Sequence, residues 1–497
     1  MLNILRQKII KFLNSNRQFP VIAAIAAGLY PLLYYYDSNF TLVNSWSQFS
    51  NFVLYYLVVP AILFYTVTKI IYQIDSLKKY IGHIITILNI ACFGFLIVIS
   101  TYGFGLKALV LVVVLAFILG ILFNKQHKKI VVFQFLLAAI VFTMLLPDFY
   151  NHFTYSNNWM KQPDDIEDVV FKRKPNIYFI QPDGYANFSE LKKGNYNFDN
   201  SEFENFLDDN GFKLYYDYRS NYVSTLTSNS SMFAMAHHYY TNTSKKVKEF
   251  YNARQTIVGD NPVTSIFKKN NYKTFLFLEK SYLLLNRPKL SYDYCNIKYS
   301  EISFLARGFE IQKDILKDLV QTIEENKSTN NFYFICSKTP SHVSVHKNES
   351  KGIKRERETY LKDLQKTNKW LTEAINLIQK KDKNALVIIA ADHGGYVGLN
   401  YSMENKIKQT DRNIIYSIFT SALAIKWPDN VPNFDTKIKT PVNLFRVLFT
   451  YLGEDEHYLT ALQDDKSYGL ISEGASYGIY EYIDEKGESV FIKKLIR

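Results

Sequence analysis

The apolar positions of this chain follow two unlike patterns. From residue 20 to 147 they form long runs almost free of charge, whereas from about residue 174 short β-branched and aromatic runs alternate with stretches of helical spacing. Crossing ~30 Å of hydrocarbon takes about 20 apolar residues at 1.5 Å each. Five windows reach or approach that length: residues 20–36, 52–72, 81–101, 106–123 and 130–146. The first and last are short and rely on flanking residues or a locally thinner bilayer. Arg6, Lys8, Lys11 and Arg17 precede the first window as they would a cleaved signal peptide, but four further windows favour a membrane bundle.

Beyond the spans, the pattern predicts strands at 176–181, 212–216, 273–278, 332–336, 385–390 and 414–425. Helices are predicted at 201–209, 262–269, 360–380 and 441–451, the last opening with a Thr440 cap and Pro441 at the first helical position. Fully apolar strands alternating with helices indicate a mostly parallel sheet with helices on both faces. The expected organisation is a multi-pass α-helical membrane domain (1–149), a polar, acidic juxtamembrane linker (150–173), an α/β catalytic domain (174–470) and a carboxyl-terminal tail (471–497).

The formal net charge of +12 would fit a nucleic-acid binder if it gathered on a soluble face. It does not: residues 1–150 hold eleven Lys and Arg against three Asp and no Glu. In a membrane bundle such residues mark cytoplasmic loops. The amino-terminal segment is basic, as are the second connection with Lys78 and Lys79 and the fourth with Lys125, Lys128 and Lys129. The first connection, 37–51, has no Lys or Arg, and the third is the turn Tyr102-Gly103-Phe104-Gly105. This predicts a cytoplasmic amino terminus, a globular part outside the cytoplasm, and no nucleic-acid role. Cys92, Cys295 and Cys336 form neither a Cys-x-x-Cys pair nor a disulfide framework; whether Cys295 and Cys336 pair stays open.

Two predicted strands deliver charged groups to glycine turns, at Asp183-Gly184 and at Asp392-His393-Gly394-Gly395. In parallel sheets functional residues collect just beyond the carboxyl ends of strands. Asp183 alone also reads as a helix cap. Asp392 and His393 side by side offer O and N donors suited to a divalent metal such as Zn²⁺ or Mn²⁺. A hydroxyl-rich run, residues 220–231, leads into the helical spacing of Leu226, Met232, Phe233 and Met235. A hydroxyl at that helix start would face backbone N–H groups and the positive dipole end, where a phosphoryl oxygen is stabilised.

These elements in this order resemble the alkaline phosphatase and sulfatase superfamily, and within it the membrane-anchored group that includes lipoteichoic acid synthases and phosphoethanolamine transferases. The resemblance covers residues 174–470. It implies that Asp183 is the first metal-binding carboxylate, that Asp392 and His393 are the later metal pair, and that Thr225 is nucleophile and metal ligand. The implied cofactor is a divalent ion, Mn²⁺ or Zn²⁺ first, with Mg²⁺ as a third candidate. The family's helix reaches a Thr-Gly or Asn-Gly about ten residues after the nucleophile, where Met235 stands, so Thr227 and Ser228 remain alternatives. Pro340-Ser341-His342-Val343 resembles a degenerate Pro-His-x-Pro segment and implies contact between His342 and substrate or leaving group. The segments Pro441 to Arg446 and Asp464 to Tyr468 resemble a carboxyl-terminal pattern of the same enzymes. His237 and His238 follow the nucleophile helix and are read as packing or surface residues. No Cys/Ser-x-Pro-x-Arg maturation motif lies near Thr225, which favours phosphoryl over sulfate ester chemistry.

The resemblance implies a transferase of the bacterial inner (cytoplasmic) membrane. It would move a phosphoethanolamine- or phosphoglycerol-type head group from a phospholipid donor to an envelope glycan or lipid acceptor. A phosphodiesterase, phosphatase or sulfatase-like hydrolase and a non-catalytic envelope-assembly module are the alternatives.

Overall fold

The computed structural model describes residues 2–240 and 249–495. The chain divides into two compact units. A helical unit takes Met1–Tyr155 together with two short returning segments, Leu285–Arg287 and Ser303–Ala306. A globular unit takes Ser156–Leu284, Pro288–Ile302 and Arg307–Arg497.

Among the described residues three helices are long and apolar enough to cross a membrane: Trp46–Gln73, Ile81–Tyr102 and Asn124–Thr154. They carry three of the five windows expected from the sequence. The other two lie on Pro20–Val43 and Leu106–Leu122, which fall short of that measure. Leu106–Leu122 has 17 residues and so rises about 26 Å, and Pro20–Val43 is diluted by Tyr34-Tyr35-Tyr36-Asp37. Small residues let the helices meet closely. A Cβ on Gly28 would lie 1.7 Å from the Tyr56 carbonyl oxygen, which sits in a π-helical turn, Leu54–Val58. Buried Asn89 donates to the Ala23 carbonyl at 2.7 Å and exchanges bonds with Gln134 at 2.9 and 3.0 Å.

The globular unit is built on seven strands: β1 (Ile177–Pro182), β2 (Lys213–Leu214), β3 (Tyr272–Leu278), β4 (Tyr294–Cys295), β5 (Asn330–Ser337), β6 (Leu386–Ala390) and β7 (Leu423–Lys426). Their order is β2-β7-β6-β1-β5-β3-β4; the pairs from β6 through β4 are parallel, and β7 runs antiparallel to β6 and β2. Both faces are covered, which is why β1 is buried along its whole length. One face meets Tyr360, Leu364 and Leu371 of the helix Ile353–Lys381 through Tyr178, Ile180 and Tyr333. The opposite face is aromatic: Phe179 packs on Phe445, and Phe233 on Phe334 and Phe445.

One predicted strand is corrected. Residues 414–425 divide into a helix, Arg412–Phe419, and the short β7. The Asp411 side chain caps the helix by accepting from the Asn413 N–H, and Ile415, Ile418 and Phe419 bury one face. A β-branched run with i, i+3, i+4 spacing follows the cap rather than its β propensity. The stretch 150–173, expected as a linker, lies mostly inside the globular unit. Fully buried Arg446 donates to Asp164 at 2.6 and 3.1 Å and to the Gln162 side-chain oxygen at 2.8 Å, and Gln162 in turn donates to the Ala234 carbonyl at 2.7 Å. Most of the expected tail is likewise structured, as β9 (Gly478–Ile483) and β10 (Ser489–Lys493), which continue an antiparallel sheet begun by β8 (Ser467–Ile471).

Candidate functional site

Strand register brings the site together. β1 pairs with β6 so that Ile180 faces Ile389, and with β5 so that Pro182 faces Ser337. Carried past the strand ends, the same register sets Asp183, Asp392 and Lys338 at one level. Each strand is held by the apolar layers described above, so three residues far apart in sequence reach one sheet edge.

The turn after β1 requires glycine. Gly184 has φ 68°, and a Cβ there would lie 2.3 Å from the Ser341 carbonyl oxygen. Its N–H donates to Asp392 Oδ1 at 3.1 Å, and its carbonyl accepts from the Tyr360 hydroxyl at 2.9 Å. Thr225 opens the helix Thr225–Ala234, and its hydroxyl donates to Asp183 Oδ1 at 3.0 Å and lies 3.4 Å from His393 Nε2. The other hydroxyls of that turn are committed elsewhere. Thr227 accepts from the Ser224 N–H at 3.2 Å, and Ser228 donates to the Tyr222 carbonyl at 2.8 Å. Of the three nucleophile alternatives, only Thr225 meets the carboxylate and imidazole.

Asp183, Asp392 and His393 are buried, and one ligand atom from each lies within 4.8 Å of the others. His393 Nδ1 lies 2.8 Å from the Gly394 carbonyl. A carbonyl only accepts, so Nδ1 carries the proton and Nε2 turns its lone pair to the carboxylates. Nε2 is 3.6 Å from Asp183 Oδ1 and 3.4 Å from Asp392 Oδ2. Asp392 Oδ2 is buried and makes no hydrogen bond, which costs about 1–3 kcal/mol or more for a charged oxygen unless a cation meets it. Two carboxylates, an imidazole lone pair and a hydroxyl form a donor set that fits one divalent ion.

The electrostatics follow from this crowding. Burial works to raise the Asp183 carboxyl, but the Lys338 ammonium, with the His393 and His342 rings, outweighs it and holds Asp183 well below the usual carboxylate range. Burial raises Asp392, against the opposing influence of His393. Lys338 was missed by sequence reasoning, although it stands two residues past the apolar strand 332–336 that the sequence does reveal. Its Nζ lies 2.5 Å from Asp183 Oδ2, opposite the Thr225 hydroxyl. His342 reaches the same place: its ring centroid is 5.7 Å from that of His393, and its Nδ1 lies 2.6 Å from the Val343 carbonyl, leaving Nε2 to accept. Burial pushes His342 down to about 4, so the ring is neutral at pH 7. Thr225, Lys338, His342 and His393 line one cleft of about 550 Å³.

His237 and His238 are brought elsewhere. His238 is stacked between Tyr222 at 3.9 Å and Phe250 at 4.0 Å, and His237 Nε2 lies 2.8 Å from the Asp464 carbonyl. Both pack the surround of the helix Thr225–Ala234. The segments 441–446 and 464–468 are joined to one another. Asn443 and Thr440 bond to Asp465, and β8 begins at Ser467.

Residues 183–415 match the family model described as Sulfatase. No curated protein matches the sequence. Among solved structures, the chain is similar to the carboxyl-terminal periplasmic domain of EcEptC from Escherichia coli. That match is at 10% identity, over 63% of this chain and 96% of that one, with a TM-score of 0.42. A lipoteichoic acid synthase, LtaP from Listeria monocytogenes, matches at 15% identity over 66% and 91%, with a TM-score of 0.41. The lipooligosaccharide phosphoethanolamine transferase EptA from Neisseria meningitidis matches at 10% identity over 87% and 95%, with a TM-score of 0.39.

Proposed function

We propose that this membrane-anchored chain, whose residues 183–415 form a sulfatase-family domain, transfers a phosphoryl-linked head group from a phospholipid to an envelope glycan or lipid, with Thr225 as nucleophile. The observation that carries the reading is the Thr225 hydroxyl donating to Asp183 at 3.0 Å inside a cluster of two carboxylates and an imidazole. A hydroxyl in water is a poor nucleophile at neutral pH and needs a base or a cation beside it. When bound, a divalent ion held by Asp183, Asp392, His393 and Thr225 supplies positive charge that eases loss of the hydroxyl proton and offsets charge on the phosphoryl oxygens.

The residues divide the remaining work. As the bond from Thr225 Oγ1 to phosphorus forms, the bond from phosphorus to the lipid glycerol oxygen breaks. The Thr225 proton passes to solvent in the cleft, and the departing glycerol oxygen takes a proton from the same solvent. Lys338 keeps Asp183 ionised and adds charge on the phosphoryl side. The helix start adds a smaller effect of the same sign, typically ~0.3–1 kcal/mol. In the second half-reaction neutral His342 accepts the proton of the acceptor hydroxyl through Nε2 as that oxygen attacks phosphorus; the bond from phosphorus to Thr225 Oγ1 breaks, Oγ1 takes a proton from solvent in the cleft, and His342 gives its proton back to solvent.

Full-length protein given phospholipid labelled in its head group should trap label on the peptide containing Thr225, and Thr225→Ala should neither trap label nor turn over. Normal turnover by Thr225→Ala sinks the mechanism. Label passing from Thr225 to water alone makes the protein a hydrolase. The same reading sets the chain in the bacterial inner membrane with a cytoplasmic amino terminus and a periplasmic or extracellular site. A fusion after residue 160 is then expected to be active with an alkaline phosphatase reporter and dark with a cytoplasmic fluorescent one, and the reverse result removes the orientation.

A further inference from the structure

We infer that Gln181 and Asn229 hold internal water directly beneath the contact between Thr225 and Asp183, and that this water spaces the helix of the nucleophile from the strand of its carboxylate. The word nucleophile rests on the proposed function; the water site stands on the geometry.

Side chains alternate along β1. Tyr178 and Ile180 pack towards the helix Ile353–Lys381, and Phe179 packs on the opposite, aromatic face. Gln181 follows Phe179 onto that face. The helix Thr225–Ala234 lies over the same face: Phe233 meets Phe334 at 5.0 Å and Phe445 at 5.5 Å, and Phe179 meets those two rings at 5.7 and 5.3 Å. At the upper end Thr225 meets Asp183 at 3.0 Å. Four helical residues rise about 6 Å and two strand residues about 6.6 Å, so the two elements stay in step. Asn229, midway between Thr225 and Phe233, therefore comes level with Gln181, midway between Asp183 and Phe179. Cys336 joins this layer from β5, where it is in register with Gln181 and is buried.

The layer is polar, yet its amides are unmatched. Gln181 is 0% and Asn229 1% exposed. Among the described residues, neither the oxygen nor the nitrogen of either amide has a hydrogen-bond partner, so the two do not bond each other. A buried polar group left unpaired costs about 1–3 kcal/mol, and four such atoms share this layer. Each amide offers one acceptor and one donor group. A cation suits the two oxygens and strands both nitrogens, and an anion does the reverse. Water donates and accepts, and a buried water makes two to four such bonds.

Gln181 stands two residues before Asp183, and Asn229 one helical turn after Thr225. Water bridging the amides therefore sets how far the hydroxyl stands from the carboxylate. Both are positioning residues, since neither touches the reacting atoms, and a shift of about 1 Å at such a centre costs up to ~100-fold in rate.

The test exposes full-length protein in detergent to millisecond X-ray pulses in ¹⁸O-labelled water, in which radicals formed from water tag the side chains beside it. Cys336 should take up ¹⁸O, and Phe332, four residues earlier on the same face of β5, should not. The double substitution Gln181→Leu and Asn229→Leu replaces both amides by hydrocarbon of similar size. It should lower the Cys336 tag by about ten-fold and melt close to wild type, whereas either single substitution strands the other amide and should melt earlier. With labelled phospholipid the double variant should lose about ten-fold or more in kcat with KM unchanged. An untagged Cys336 in wild type, or an equal tag in the double variant, overturns the water site, and wild-type kcat in the double variant overturns the positioning role. If the double variant does not fold, the wild-type map decides alone, through a tag on Cys336 and none on Phe332. A tagged Cys336 with no head-group transfer by wild type keeps the water site and removes the transferase reading. Transfer with an untagged Cys336 does the reverse.

Discussion

Asp183 is approached on both oxygens, by the Thr225 hydroxyl at Oδ1 and the Lys338 ammonium at Oδ2. The two partners should separate experimentally. Thr225→Ala removes the reacting oxygen and keeps the charges, so it is expected to cut turnover by about three orders of magnitude or more without loss of stability. Lys338→Met keeps the oxygen and removes a charge. Breaking a largely buried pair by deleting one partner costs roughly 3–5 kcal/mol. Without metal the Lys338→Met protein should therefore melt earlier, and Mn²⁺ or Zn²⁺ should restore much of the difference, since an ion between Asp183 and Asp392 replaces the lost cation. A thermal shift on metal addition no larger than that of wild type would show that Lys338 is not the counter-charge.

At the scale of elements, what could be read from the sequence depended on whether the signal was local. The Asp183 and Asp392-His393 corners announce themselves because an apolar strand, a charged residue and a turn stand consecutively, whereas His342 is legible only through the resemblance of Pro340-Ser341-His342-Val343 to a family segment. Lys338 announces nothing: its importance comes from strand β1 lying beside β5, a pairing between residues 155 positions apart. Residues 414–425 misled for the opposite reason, since β-branched side chains suit a strand locally while the Asp411 cap and a buried helical face decide otherwise. The segment 150–173 looked like a linker because its acidic residues find their partners far along the chain, Asp168 at Lys269, Asp164 at Arg446 and Asp165 at His457. The Arg446 pairing ties it to the middle of the helix Pro441–Gly453 and, through Gln162, to the end of the helix Thr225–Ala234. Arg446→Met should strand the Asp164 charge and cost about 3–5 kcal/mol in chemical denaturation. A loss under ~1 kcal/mol would mean that the segment is held by other contacts.

For the globular unit as a whole, pH reaches stability through buried histidines, and two of them, His237 and His238, lie outside the cluster of Asp183, Asp392 and His393. Burial holds His237 down to about 4 and His238 down to about 3, against 6.5 when solvated. Below pH 6.5 the unfolded chain takes up protons that the folded chain refuses, so stability rises with pH across this window. The contribution is whole above pH 6.5 and is lost as pH falls towards 4 and 3. The melting temperature should drop between pH 7 and pH 4.5, and His238→Phe, which keeps a ring between Tyr222 and Phe250, should flatten the drop. A variant as acid-sensitive as wild type would place the titration elsewhere.

The strand order also sets a sequence of events in time. β1 emerges early in synthesis, yet its two neighbours in the sheet are β5 and β6, and β6 ends at Ala390. A growing chain therefore displays Asp183 long before Asp392 and His393 exist, and no shorter nascent chain can gather the three. On the proposed function, loading with metal would then report that the chain is finished. A polypeptide arrested before residue 385 should be blind to added Mn²⁺ or Zn²⁺, whereas the finished protein is expected to melt later with either ion.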